Sequence, residues 1–140
     1  MDETKSRVKV INIILIESEF KRITNLRLDK MEKFTINIQV GVGIEKESKR
    51  FFSEVTLKAI QKYESVTQVQ AKVKMVGLFE HDGLSEEEQQ SFAKINGAAI
   101  VFPFIREHLA SLTTKAGIST LIINPVNFVE LAQDVSLTEK

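Results

Sequence analysis

The chain has no cysteine and no tryptophan, and only two prolines and six glycines among its 140 residues. Without cysteine there is no disulfide, no thiolate metal site and no Cys nucleophile. A chain of this kind must fold on its own core. One domain spanning residues 1–140 buries roughly 68–70% of its unfolded surface, enough to fold without a staple. Charge of one sign is lacking too: 19 basic residues balance 19 acidic ones. No overall field therefore recruits nucleic acid or an acidic membrane. No apolar run approaches the ~20 residues that a bilayer span needs. The first residues, Met1-Asp2-Glu3-Thr4-Lys5, lack the basic-then-apolar order of a secretory signal. A cytoplasmic protein without membrane insertion is the expectation.

What is present is alternation. Residues Val8 to Phe20 read as a strand with Val8, Val10, Ile14 and Ile16 on one side and Ile11, Ile13 and Leu15 on the other, so part of it should be covered twice. Residues Ile23 to Lys33 form a connection rich in Ile23, Leu26, Leu28 and Met31. Phe34, Ile36, Ile38, Val40, Val42 and Ile44 then share one face, with Thr35, Asn37, Gln39, Gly41 and Gly43 on the other. A charged turn at residues 45–49 leads to a third strand, Arg50 to Tyr63, and Glu64-Ser65 to a fourth, Val69 to Glu80. The outward positions Gln70, Lys72 and Lys74 are polar, as in an antiparallel meander with one wet face.

The period then changes. Ser85 with Glu88 is a capping-box start for a short helix. Asn96-Gly97 should interrupt it, and a longer helix should cover Ala98 to Ala116, stopped by Gly117. Pro103 is tolerable there only near the first turn. After the extended stretch Ile118 to Ile123, a last helix should run to about Asp134. Strands first and helices afterwards predict an α+β fold: a four-stranded antiparallel sheet, a meander, with helices packed on one face.

Residues that carry chemistry are scarce. His81 and His108 have no partner in any nucleophile, metal or acid–base pattern, and read as a turn residue and a surface or half-buried helix residue. Gly41 and Gly43 form a G-x-G inside a strand, with no helix after it to hold a phosphate; a bulge or a close backbone approach fits better. Glu86-Glu87-Glu88 complements a helix dipole. Nothing resembles an aromatic platform interleaved with Lys and Arg for bases. The sequence points away from an enzyme, a metal site, a cofactor and nucleic acid. It carries surplus apolar surface, the mark of oligomerisation or a binding groove. A small-ligand-binding domain and an oligomerisation module are the other readings; a polar, convergent pocket would favour the first.

Phe102-Pro103-Phe104-Ile105-Arg106-Glu107, followed by Asn124-Pro125-Val126-Asn127-Phe128, resembles the signature of the SecB family of bacterial protein-export chaperones, Phe-Pro-Tyr-Ala-Arg-Glu and Pro-Val-Asn-Phe. Val73, Gly77, Phe79 and Gly83 match the family's fourth strand and the following turn, and the pattern holds without a gap from Ala71 to Leu131. The resemblance implies a homotetramer, a dimer of dimers, that uses no cofactor or ATP. It implies a holdase for non-native client proteins. Those clients are preproteins for export or, in a dedicated relative, an antitoxin of a toxin–antitoxin system. Clients would lie in an apolar groove for which Leu26, Leu28, Met31, Phe34, Ile36, Ile38, Phe104, Leu112, Ile118, Leu121, Ile123 and Phe128 are the candidates. Several positions depart from the family. Phe104 and Ile105 replace Tyr and Ala, Ile118-Ser119 replaces a Phe-Pro, and Leu26, Leu28 and Met31 stand where aromatics are common. The resemblance also implies the SecA motor as a partner, docked on an acidic open sheet face. Glu17 fits that pattern, whereas Lys21 and Lys72 stand where acids are expected.

Overall fold

A computed structural model describes residues 7–27 and 32–138. The strands are β1 (Val8–Arg22), β2 (Thr35–Ile44), β3 (Arg50–Tyr63) and β4 (Val66–His81), antiparallel in the spatial order β1-β4-β3-β2. The expected four-stranded sheet with helices on one face is there. The meander describes β2, β3 and β4, whereas β1 lies beyond β4, at the opposite edge from β2.

Alternation explains the centre of the sheet. On β3, Phe51, Ser53, Val55, Leu57, Ala59 and Gln61 are buried, and on β4 so are Val69, Ala71, Val73, Met75 and Phe79. These are the residues opposite one another in register, Phe51 with Phe79 and Leu57 with Val73. The turn between the two strands is made by Glu64 and Ser65, both with positive φ (48° and 68°). That conformation matches the twist of a two-residue hairpin. Gly43 lies opposite Phe52, whose ring occupies the space a Cβ would take, 1.9 Å away. Gly43 thus answers to a close approach, whereas a Cβ at Gly41 would make ordinary contact, 3.8 Å from Glu54 Cβ; no bulge interrupts the β2–β3 register.

Strict alternation fails on β1. Its pairing with β4 shifts between Val10 and Asn12 and again between Leu15 and Glu17. Each bulge turns the following residues over. Val8, Val10, Ile13, Leu15 and Phe20 therefore face the helices, and Ile14, Glu17, Glu19 and Lys21 face outward. The expectation that Ile14 and Ile16 share a side with Val8 is corrected by these two shifts.

Helix α1 (Glu86–Phe92) starts from the capping box. Ser85 Oγ accepts from the Glu88 N–H at 3.1 Å, and Glu88 Oε1 accepts from the Ser85 N–H at 3.0 Å. Asn96-Gly97 does not interrupt the helix as expected. Residues Ala93–Gly97 form a π-helical turn that runs directly into α2 (Ala98–Lys115). The wider turn places Ala93 and Gly97 against the sheet, where Ser53 Oγ donates to the Ala93 carbonyl at 2.8 Å. Pro103 sits inside α2, on its exposed side, and not in the first turn. Gly117, with φ 73°, ends the helix as predicted. Helix α3 (Phe128–Thr138) follows an extended segment.

Helix α2 lays Ala98, Val101, Phe102, Ile105, Leu109 and Thr113 on the sheet. Its contact with β4 is closest at Gly77, where a Cβ would stand 2.6 Å from Val101 Cγ2. Val101 is β-branched and has little rotamer freedom in a helix. Gly77→Ala should therefore destabilise the fold by about 1–3 kcal/mol, the range for overpacking. Chemical denaturation measures the loss, and Val101→Ala in the same chain should recover part of it, because the two sites couple directly.

Candidate functional site

Thr113 organises the end of α2. Its buried hydroxyl donates to the Leu109 carbonyl at 3.0 Å and accepts from the Leu121 N–H at 3.0 Å. Thr114 and Thr120 hydroxyls meet at 3.1 Å. The segment after Gly117 is held along the helix by these bonds, without strand pairing. At its far end Asn127 Oδ1 accepts from the N–H groups of Val129 and Glu130, at 3.1 and 3.2 Å, and so starts α3. The next residue, Phe128, packs edge-on against Phe102, with ring centroids 5.5 Å apart at 72°. The two sequence signatures thus meet in space: Phe102 precedes Pro103, and Phe128 follows Asn127.

Around that contact lies an apolar surface. Phe34, just before the edge strand β2, and Ile36, Ile38 and Val40 on it are half-buried and packed on the core. Leu112, Leu121, Val126 and Leu131 are also half-buried, packed on the same core cluster, which contains Ile123 and Phe128. Of the groove candidates, Phe34, Ile36, Ile38, Leu112 and Leu121 therefore share one cluster while keeping part of their surface open.

The remaining candidates are not part of that half-open surface. Ile118, Ile123 and Phe128 are buried by the chain's own core, beneath that surface. Phe104 is 49% exposed on the opposite flank of α2. It sits one turn from His108, whose Nε2 meets Ser18 Oγ of β1 at 2.8 Å. Leu26 is half-buried in the connection after β1, where the Arg27 N–H donates to Gln68 Oε1 at 2.8 Å. Leu28 and Met31 lie outside the described residues.

Three residues, Ile122, Gln61 and Gln68, escaped sequence reasoning. Ile122 is 78% exposed between buried Ile123 and half-buried Leu121, and a depression of about 390 Å3 separates this segment from Pro103, Arg106, Glu107 and Ala110. Three consecutive aliphatics in an extended segment cannot all point inward, which was the available signal. Gln61 and Gln68 are buried and joined side chain to side chain at 3.3 Å, anchoring the connection that carries Leu26. Polar residues at inward positions of β3 and β4 were the sign of that network.

The open face of the sheet is read in rungs. Glu19, Lys72, Lys58 and Asn37 form one, and Lys21, Gln70, Ile60 and Thr35 the next. Glu17, Lys21 and Lys72 share this face. Lys72 Nζ is 3.2 Å from Glu17 Oε1, and Lys74 Nζ is 3.5 Å from Glu54 Oε1. Among the described residues no group of three or more His, Cys, Asp or Glu could hold a metal ion. No helix among them is long and apolar enough to cross a membrane.

The sequence model of the family described as preprotein translocase subunit SecB matches residues 8–137. The chain belongs to the SecB family. An uncharacterized protein of Methanocaldococcus jannaschii is 27% identical over 135 residues, covering 94% of this chain and 86% of that protein. The protein-export protein SecB of Rickettsia bellii is 30% identical over 95 residues, 66% of this chain and 62% of its own length. That of Rickettsia massiliae is 27% identical over 101 residues, 72% of this chain and 66% of its own length. A SecB-like chaperone of Mycobacterium tuberculosis, solved with a peptide from an antitoxin, shares the fold at a TM-score of 0.78 and 16% identity. That match covers 88% of this chain and 93% of the other.

The hydrogen bond from Lys72 holds the Glu17 carboxyl below the ordinary carboxylate range. The Glu17–Lys72 pair should therefore persist above that range and break as pH falls through the lowered value. An NMR titration of Glu17 should show this lowered midpoint, and Lys72→Met should raise it.

Proposed function

We propose that this SecB-family chain is an ATP-independent holdase that binds non-native polypeptides on the apolar surface between β2 and the segment after α2. The single observation that carries the reading is the half-open cluster of Phe34, Ile36, Ile38, Leu112 and Leu121. An unfolded client offers apolar side chains in any order, and burial of aliphatic and aromatic surface binds them without reading sequence. Export of preproteins agrees with the names of the Rickettsia relatives. A dedicated client such as an antitoxin is the second reading. Lys21 and Lys72 on the open face favour it, because like charges oppose docking of a motor that expects acids there.

A homotetramer is part of the proposal. Val10, Leu15 and Phe104 are 48%, 44% and 49% exposed along the helix-side flank of β1 and α2. The outer edge of β1 is long and aliphatic, the kind of edge that pairs with another chain. Light scattering should give a tetramer, and a species at the single-chain mass of 15.8 kDa would refute the assembly.

The holdase itself is checked by turbidity of a chemically unfolded client without nucleotide. The chain should suppress aggregation and leave the native client unbound; a need for ATP, or equal affinity for the native form, would sink the reading. Burial of one such side chain contributes on the order of 1.5–3 kcal/mol. Leu121→Ser should accordingly weaken client binding about tenfold or more with the assembly intact. Ile123→Ser should instead lower stability, since its side chain lies in the core.

A further inference from the structure

The open sheet face carries a charge arrangement that the client surface does not use. Lys58 on β3 stands directly opposite Lys72 on β4, and residues so placed have Cβ atoms about 4.5–5.5 Å apart. Like charges in that position repel. Glu17 takes Lys72 as its partner, and Glu54 takes Lys74. Lys58 and Lys21 are exposed and have no ion pair among the described residues. Glu19 is the one carboxylate in the two rungs that hold Lys21, Lys58 and Lys72.

These rungs enclose a depression of about 530 Å3 whose outward side chains are Glu19, Lys21, Lys58, Ile60, Gln70 and Lys72. Ser18, Phe20 and Ala71 complete its lining. Ile60, 37% exposed, is its apolar element, two residues along β3 from Lys58 and across Gln70 from Lys21. We infer that this depression docks an acidic segment of a partner polypeptide, one that brings carboxylates to Lys21 and Lys58 and an aliphatic side chain to Ile60. A carboxylate above Lys58 would give it the ion-pair partner that Glu17 already gives Lys72. Nucleic acid is the poorer fit. Phe20, the aromatic residue that lines the depression, is turned to the helix-side core and offers a base no stacking face, and the Tyr63 ring is covered by the Arg27 guanidinium at 5.5 Å.

Fluorescence anisotropy tests this with a labelled peptide in which glutamate alternates with leucine, at low salt. Its lysine–leucine counterpart and a single-stranded oligonucleotide are run alongside. The acidic peptide should bind, and binding should fall as salt rises, since exposed charges are screened beyond about 10 Å at 0.1 M. The double variant Lys21→Glu, Lys58→Glu should weaken it about tenfold or more. Lys21→Gln with Lys58→Gln should weaken it less, and the double arginine variant should retain it. Suppression of client aggregation should stay unchanged in all of them, which separates this site from the holdase surface. No binding of the acidic peptide, equal binding by the double glutamate variant, or oligonucleotide binding as tight as the peptide's would overturn the inference.

Discussion

The close seating of α2 on β4 is the contact on which the rest of the molecule rests. Gly77 on the strand and Gly97 at the helix start both face Phe79, and a Cβ at Gly97 would stand 3.1 Å from its ring and from Ser53. With those side chains absent, Phe79 stacks on Phe51 at 5.5 Å and meets Phe92 edge-on at 5.6 Å. The π-helical turn serves the same contact, because it lets one helical run carry both Phe92 and Val101 onto the sheet. From this seat α2 points Thr113 at the segment that follows it and Phe102 at Phe128. The apolar surface beside β2 is thus a consequence of where the helix sits.

The two faces of the sheet do different physical work. The helix side buries aliphatic and aromatic area and supplies the stability. The outer side is stabilised little by its ion pairs, which are partly exposed and contribute about 0–1 kcal/mol each. Such a face tolerates changes of charge between relatives without loss of fold. The fold therefore depends far more on the helix side than on the charges of the outer face.

Edge strands divide the labour again. β2 shows its half-buried aliphatic face beside the segment after α2, and β1 leaves aliphatic residues uncovered in the single chain. The bulges at Ile11 and Ile16 bend and twist that edge and set which of its side chains face the helices. Without the second shift, Glu17 and Lys21 would lie on the helix side, where a charge without a partner is costly.

Much of this was legible in the residues themselves. The period of two gave β2, β3 and β4 with their inward faces, Ser85 and Glu88 gave the start of α1, and Gly117 gave the end of α2. The paired signatures at Phe102-Pro103 and Asn127-Phe128 gave the family. All of these are local, set by neighbours a few positions away in sequence. The chain alone could not say that β1 pairs with β4, because periodicity gives a strand's faces and not its partner. Nor could it show the bulges, which exist only relative to β4, or the unbroken passage through Asn96-Gly97, which the sheet beneath it stabilises. It could not separate Leu121 from Ile123, both apolar in one extended run, until Thr113 fixed the backbone of that segment. The lysine opposite a lysine was invisible for the same reason: Lys58 and Lys72 are remote in sequence, and only the antiparallel register of β3 on β4 brings them face to face.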